Sequence, residues 1–241
     1  MIPLQDLNPT RRRPILTYIL LALNIAIFLW EQTFSQEELF QLFLDVSVVP
    51  ANISSDPFSL ESFLDSVRSM FFHGGWAHLG GNMLYLYLFA DNIEDRFGRV
   101  LFLLLYFVSG FIAIVAQVMI DPTSQIPLVG ASGAIAGVLG AYLVLFPGVR
   151  VRGIIFLGIF SRMADWPAWG VLALWFGLQL FNGLVSLGAP TGNSGGVAFF
   201  AHIGGFVAGA IIAWVLMLFF PQPPPEDRRE MLYERVERYR Y

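Results

Sequence analysis

The chain has 241 residues, 56% hydrophobic and 13% charged, against a charged share of roughly 25% in soluble globular domains. Such a composition describes a multi-pass integral membrane protein in contact with lipid and excludes an ordinary soluble domain. The absence of cysteine removes disulfides and thiolate metal ligands, and a net charge of −4, divided along the chain, offers no face for nucleic acid.

Six apolar stretches, about 15–30, 78–96, 99–119, 131–147, 167–187 and 197–220, are long enough or nearly so to cross a hydrocarbon core about 30 Å thick. The sequence therefore predicts an all-α, six-helix membrane domain over residues 1–220 and a cytoplasmic tail over 221–241. Arg11, Arg12 and Arg13 before the first run resemble a secretory leader, but Glu31 and Gln32 follow where small cleavage-site residues belong, so the run reads as a retained span. The fourth stretch is short, as suits a helix that starts at Ser132 below the membrane surface. A seventh apolar piece, Gly153 to Phe160, is too short to span and reads as an interfacial lead-in to the fifth helix.

Arginine placement sets the topology. There is no lysine, and with both termini inside, alternating spans put every arginine but Arg68 on the cytoplasmic side. The connection 31–77 carries interrupted apolar residues such as Phe40, Phe43, Phe63 and Phe72, so it reads as short amphipathic pieces in the outer interface. Asn52-Ile53-Ser54 fits the glycosylation sequon, a match that matters only in a eukaryotic secretory setting. The uncharged, glycine-rich 187–197 loop reads as a flap over the outer end of the bundle. In the tail, Leu232, Val236 and Tyr239 share one helical face, a surface or partner helix rather than an active part.

The polar residues inside this apolar frame carry the chemistry. By the topology above, Ser132 starts the fourth span at its outer end, His78 and Asn82 occupy the first turns of the second, and His202 lies one turn into the sixth. All four share the outer half of the bilayer. A serine hydroxyl attacks a carbonyl only when a base takes its proton, and histidine can accept that proton and return it to a leaving amine. His202 is the candidate base. His78 and Asn82, four residues apart, share a helix face whose donors could stabilise an oxyanion, joined by the Ser132 amide at a helix N-terminus. Gly133 and Gly137 on the fourth helix, and Ala201, Gly205 and Gly209 on the sixth, repeat at four-residue spacing. Such spacing lets two backbones nearly touch and brings Ser132 to His202.

Taken singly, each feature has a plainer reading. A serine in lipid is commonly a packing residue, a buried His78 or Asn82 needs a partner whether or not it catalyses, and Gly-xxx-Gly also marks inert dimer faces. His73 reads as interfacial. Asp91, Glu94 and Asp95, beside Arg96 and Arg99, read as ion-paired helix-end residues rather than a proton path. Three histidines without a tight ligand set or nearby acid do not make a zinc site, so neither metal nor cofactor is expected. A transporter would show internal repeats around a midplane site, and none is visible.

The combination is more specific than its parts. His-Gly-Gly-Trp-Ala-His-Leu-Gly-Gly-Asn-Met (73–83), Gly-Ala-Ser-Gly-Ala-Ile-Ala-Gly (130–137) and Ala-His-Ile-Gly-Gly-Phe-Val-Ala-Gly (201–209) resemble, in order and spacing, the three signature motifs of the rhomboid intramembrane serine proteases. The likeness extends over roughly residues 15 to 220. It implies a Ser132 nucleophile, a His202 general base and an oxyanion hole of His78, Asn82 and the Ser132 amide. It also implies single-pass transmembrane proteins as substrates, cleaved near the outer membrane face. The fifth helix with Trp169, Trp175 and Phe176 would correspond to the substrate gate, and the 187–197 loop to its cap. Two features depart from the pattern: Ala136 stands where many members carry an aromatic against the catalytic histidine, and the Trp-Arg pair of some bacterial members is absent from the first loop. Inactive relatives that bind transmembrane helices as chaperones or dislocation factors are the alternative, and they typically lack the serine or the histidine, both of which stand here. Short loops suggest a bacterial inner membrane.

Overall fold

The computed structural model describes residues 2–157, 160–188 and 197–221. The 187–197 flap falls mostly outside the described residues, and the tail helix with Leu232, Val236 and Tyr239 falls wholly outside them. The chain is mostly helical. In order, it runs β1 (Ile2–Asp6), α1 (Ile15–Glu31), α2 (Gln36–Val46), α3 (Pro50–Ser55), α4 (Leu60–Ser69), α5 (Trp76–Ile120), α6 (Ser132–Leu145), β2 (Arg150–Leu157), β3 (Phe160–Pro167), α7 (Ala168–Leu187) and α8 (Phe199–Phe219).

Helices α5, α7 and α8 are long and apolar enough to cross a membrane, and α1 and α6 are shorter apolar helices of 17 and 14 residues. The helix α5 is broken into two arms at Gly98, whose φ of 78° and ψ of 170° are non-helical. Nothing lies within 4 Å of where a Cβ would be at Gly98, so it is the positive φ that calls for glycine. Each arm is roughly 33 Å long at the usual rise.

Helix α6 is the hub. From Gly133 to Tyr142 every residue is buried, and its contacts with α5 and α8 form the core together with Leu86, Phe89, Ile93, Phe102, Leu105, Tyr106 and Phe206. Its length is about 21 Å at the helical rise, short of a bilayer core. In α2 the start is fixed by a capping box in which the Ser35 side chain accepts from Glu38 N–H and Glu38 reaches back to Ser35. Together, α2, α3 and α4 supply the short helical pieces expected of residues 31–77.

The all-α expectation omits a three-stranded antiparallel sheet in the order β1-β2-β3. Where described, the supposed lead-in Gly153 to Phe160 is instead strand: Gly153 to Leu157 belong to β2 and Phe160 begins β3, and the two strands pair antiparallel with Arg150 opposite Pro167 and Ile155 opposite Arg162. Its contiguous Ile154-Ile155-Phe156-Leu157 hides the alternation that marks a strand, and a short apolar run cannot be typed by periodicity alone. The sheet lies beyond the C-terminal end of α6. There Tyr142 Oη donates to Asp6 Oδ2 at 2.6 Å and Asn92 Nδ2 donates to the same oxygen at 2.9 Å, while Arg152 clamps Asp165 with bonds of 2.8 and 2.9 Å.

The acids near Gly98 do more than form ion pairs. Glu94, buried, accepts from the N–H groups of Leu16 (3.0 Å) and Thr17 (2.8 Å) and from Thr17 Oγ1 (3.0 Å), and Asp95 accepts from Arg11 and Arg12 N–H at 3.1 and 2.9 Å. These carboxylates satisfy the free amides at and before the start of α1, whereas Arg99 Nε stands 3.9 Å from Glu94.

Candidate active site

Three helix N-termini meet at one end of the bundle, and each brings one of the residues singled out in the sequence. Ser132 is the first residue of α6, His78 lies in the first turn of α5, and His202 in the first turn of α8. The start of α8 is fixed by Gln117 from the second arm of α5, whose Oε1 accepts from Phe200 and Ala201 N–H at 3.2 Å each. Aligned helix dipoles give this end of the bundle a positive field without a formal charge.

Ser132 Oγ and His202 Nε2 are 2.8 Å apart. The approach depends on glycine. A Cβ built at Gly205 overlaps the Gly133 carbonyl oxygen, and one at Gly209 overlaps the Gly137 carbonyl oxygen. At Gly137 a Cβ would collide with the Ser109 side chain, and at Gly133 it would stand 2.6 Å from Ala113 Cβ. Backbones in such contact are what small residues at four-residue spacing permit.

His78 Nδ1 accepts from Gly74 N–H at 3.4 Å, which leaves Nε2 as the protonated nitrogen. A methyl built on Gly130 would stand 2.7 Å from His78 Nε2 and 3.5 Å from Ser132 Oγ. Gly130 also has a φ of +133°, so both its conformation and the space between the two side chains exclude a larger residue. Asn82 is 8% exposed and its Nδ2 has no hydrogen-bond partner among the described residues. A buried amide donor without an acceptor is costly, and an oxyanion would satisfy it.

The three aromatics assigned to a gate separate into two sets. The Trp175 ring lies 5.9 Å from the His202 ring and 6.3 Å from Tyr85, and Phe176 stacks on Phe206 at 4.5 Å. Trp169 is 58% exposed at the other end of α7, with its N–H on the Pro147 carbonyl at 3.1 Å, about 15 Å along the helix from Gln179.

Two residues near the site were not legible as such. His73, expected at an interface, is fully buried. Its N–H donates to the buried Glu31 carboxylate at 3.1 Å, its Nδ1 is 3.1 Å from Phe71 O, and its ring lies 5.2 Å from that of His78. Burial, then the neighbouring His78, pushes His73 down from 6.5 to about 4. A depressed histidine contributes stability that is present above pH 6.5 and lost as pH falls toward 4, up to about 3 kcal/mol. Between pH 7 and pH 4.5 the unfolding midpoint in detergent is expected to shift downward in the parent relative to His73→Asn. The second residue is Gln179 of α7, whose Oε1 is 2.8 Å from His202 Nδ1. A lone glutamine in the apolar run Leu174 to Phe181 was the available signal. Among the described residues no group of three or more His, Cys, Asp or Glu side chains could hold a metal ion.

The sequence is similar to those of known proteins. The Rhomboid domain matches residues 61–219. The chain is similar to Rhomboid protein 1, mitochondrial, of Saccharomyces cerevisiae, 26% identical over 216 residues, covering 83% of this chain and 53% of the yeast protein. Similarity to Rhomboid protease AarA of Providencia stuartii reaches 27% identity over 221 residues, 84% of this chain and 73% of that protein. The Putative rhomboid protease YdcA of Bacillus subtilis is 38% identical over 77 residues, 32% of this chain and 38% of its own length. The chain thus spans about half the length of the yeast relative, and the matched part of YdcA is shorter still. Relatives named mitochondrial and chloroplastic stand beside bacterial ones, so the likeness does not select a bacterial inner membrane. With a domain match over most of its length and apolar helices of membrane-crossing size, the chain is a multi-pass integral membrane protein of the rhomboid family.

Proposed function

We propose that this chain is an intramembrane serine protease that hydrolyses peptide bonds in or near transmembrane segments, using Ser132 as nucleophile and His202 as general base. The observation that carries the reading is the 2.8 Å contact between Ser132 Oγ and His202 Nε2 at the meeting point of three helix N-termini. The membrane domain has six spans with both termini cytoplasmic, taking the two arms of α5 as separate spans.

In the reaction, His202 Nε2 takes the Ser132 hydroxyl proton as Oγ attacks the substrate carbonyl carbon. The negative charge that develops on the carbonyl oxygen is met by the Ser132 N–H, His78 Nε2–H and Asn82 Nδ2, which has no other partner among the described residues. Collapse of the tetrahedral adduct breaks the C–N bond, and His202 returns the proton to the departing amine. Water then repeats the cycle on the acyl-enzyme, with His202 again as base, releasing the carboxylate and restoring Ser132.

The substrate is a single-pass transmembrane protein whose helix arrives from the lipid between the first arm of α5 and α7. Gly80 and Gly81, beside His78 and Asn82, have nothing among the described residues within 4 Å of a built Cβ, which supports an approach from this side. Trp175 and Phe176 are the gate residues on α7, and the position of Trp169 at the far end argues for membrane anchoring instead.

Purified protein in detergent is expected to cleave a tagged model transmembrane substrate, and Ser132→Ala to leave it intact. A parent that holds the substrate without cutting it would favour the helix-binding alternative. Asn82→Ala should lower kcat by about 10² to 10³ through loss of one oxyanion donor; an unchanged kcat would remove Asn82 from the mechanism.

A further inference from the structure

The base is held from α7, the peripheral helix beside the proposed entry. Gln179 Oε1 is 2.8 Å from His202 Nδ1, and Trp175, one turn earlier, sets its ring 5.9 Å from the imidazole at an interplanar angle of 35°. An amide oxygen can only accept, so the proton sits on Nδ1. The lone pair of Nε2 is thereby turned toward Ser132 Oγ, 2.8 Å away. The opposite tautomer would present an N–H to the hydroxyl and could not take its proton.

We propose that Gln179 is the positioning residue that fixes the tautomer and ring plane of His202, an inference that rests on the protease reading above. It supplies what α6 does not. Ala136 of α6, fully buried, has neither a ring nor a polar side-chain atom with which to orient an imidazole, and the His202 ring is held by Gln179 and Trp175 from α7. The four-residue offset between them places both on one face, so amide and indole act together. Only Ala168, Val171, Leu172 and Gly183 of α7 are buried, and no described residue lies within 4 Å of a Cβ built on Gly177, between the two gripping residues. The correct tautomer therefore depends on α7 being seated against α8.

The test uses full-length protein in detergent with the tagged transmembrane substrate, comparing the parent with Gln179→Leu, Gln179→Met, Gln179→Glu and Ser132→Ala. Leucine and methionine approximate the volume without an acceptor at Nδ1, whereas glutamate keeps an oxygen there. Removing the outer partner of a metal-bound histidine typically costs 10-fold to 100-fold, and kcat in the leucine and methionine variants is expected to fall by about the same factor. KM and the unfolding midpoint should stay near the parent's, and the glutamate variant should recover most of kcat. Leucine and methionine variants at parental kcat overturn the assignment, as does a loss that glutamate fails to rescue or that follows the unfolding midpoint. An active parent with a dead Ser132→Ala keeps the protease reading standing through either of those failures. A dead parent sinks that reading, and the role of Gln179 with it.

Discussion

Replacing His202 with alanine is expected to lower turnover of a transmembrane substrate by about 10⁴-fold or more, the scale seen when a hydrolase loses its base while keeping its oxyanion donors. The variant removes both contacts that define the site, the 2.8 Å bond to Ser132 Oγ and the 2.8 Å bond to Gln179 Oε1. Left alone, the hydroxyl keeps its proton at neutral pH and is a weak nucleophile. The packing of α6 on α8 does not run through the imidazole, because Gly133, Gly137, Gly205 and Gly209 make those contacts with backbone. The unfolding midpoint in detergent should therefore stay close to the parent's while the rate collapses. A rate within 10-fold of the parent's would mean that some other group takes the serine proton.

The second large effect is expected from Gly209→Val, a position with no polar atom and no place in the chemistry. A Cβ there lies on the Gly137 carbonyl and within 2.5 Å of Gly137 Cα. Nothing flexible stands in the way to yield, since the obstacle is the backbone of a helix caged on all sides from Gly133 to Tyr142. Overpacking a filled core typically costs 1–3 kcal/mol, and with backbone as the obstacle the cost here is expected to be about 3 kcal/mol or more. The expected result is a clearly lower unfolding midpoint together with loss of cleavage, because α8 cannot retreat without carrying His202 away from Ser132. Gly209→Val with a parental midpoint would contradict the close α6–α8 contact on which the site depends.

The candidate site was more legible in the sequence than the frame around it. Ser132, His78 and His202 could be aligned because polar residues in an apolar run are few, and each falls at a helix start where register is easiest to count. The small-residue spacing at 133, 137, 205 and 209 then supplied the geometry that brings two of those starts together. The sheet was hidden because β2 reads as one apolar block, and its partner β1 lies more than 140 residues earlier in the chain. Pairing of that range leaves no local pattern. The burial of His73 was hidden for a similar reason, since its carboxylate partner Glu31 ends a helix 42 residues earlier in the chain. Gln179 lay in plain view as a polar residue in an apolar helix, but its meaning depends on which face of α7 meets α8, and α7 carries too few buried residues for its pattern to tell. The same contact answers what Ala136 left open. The imidazole is oriented from the neighbouring helix, where no reading of residues around Ser132 would look for it.

The most direct measurement is covalent labelling of the parent protein in detergent with a small fluorophosphonate, followed by peptide mass spectrometry. The probe reacts with a serine only when a base activates it, and it needs no transmembrane substrate to enter. The account predicts a single phosphonylated residue, Ser132, with labelling lost in His202→Ala. An adduct on another serine, or labelling of Ser132 that persists undiminished without His202, would contradict it.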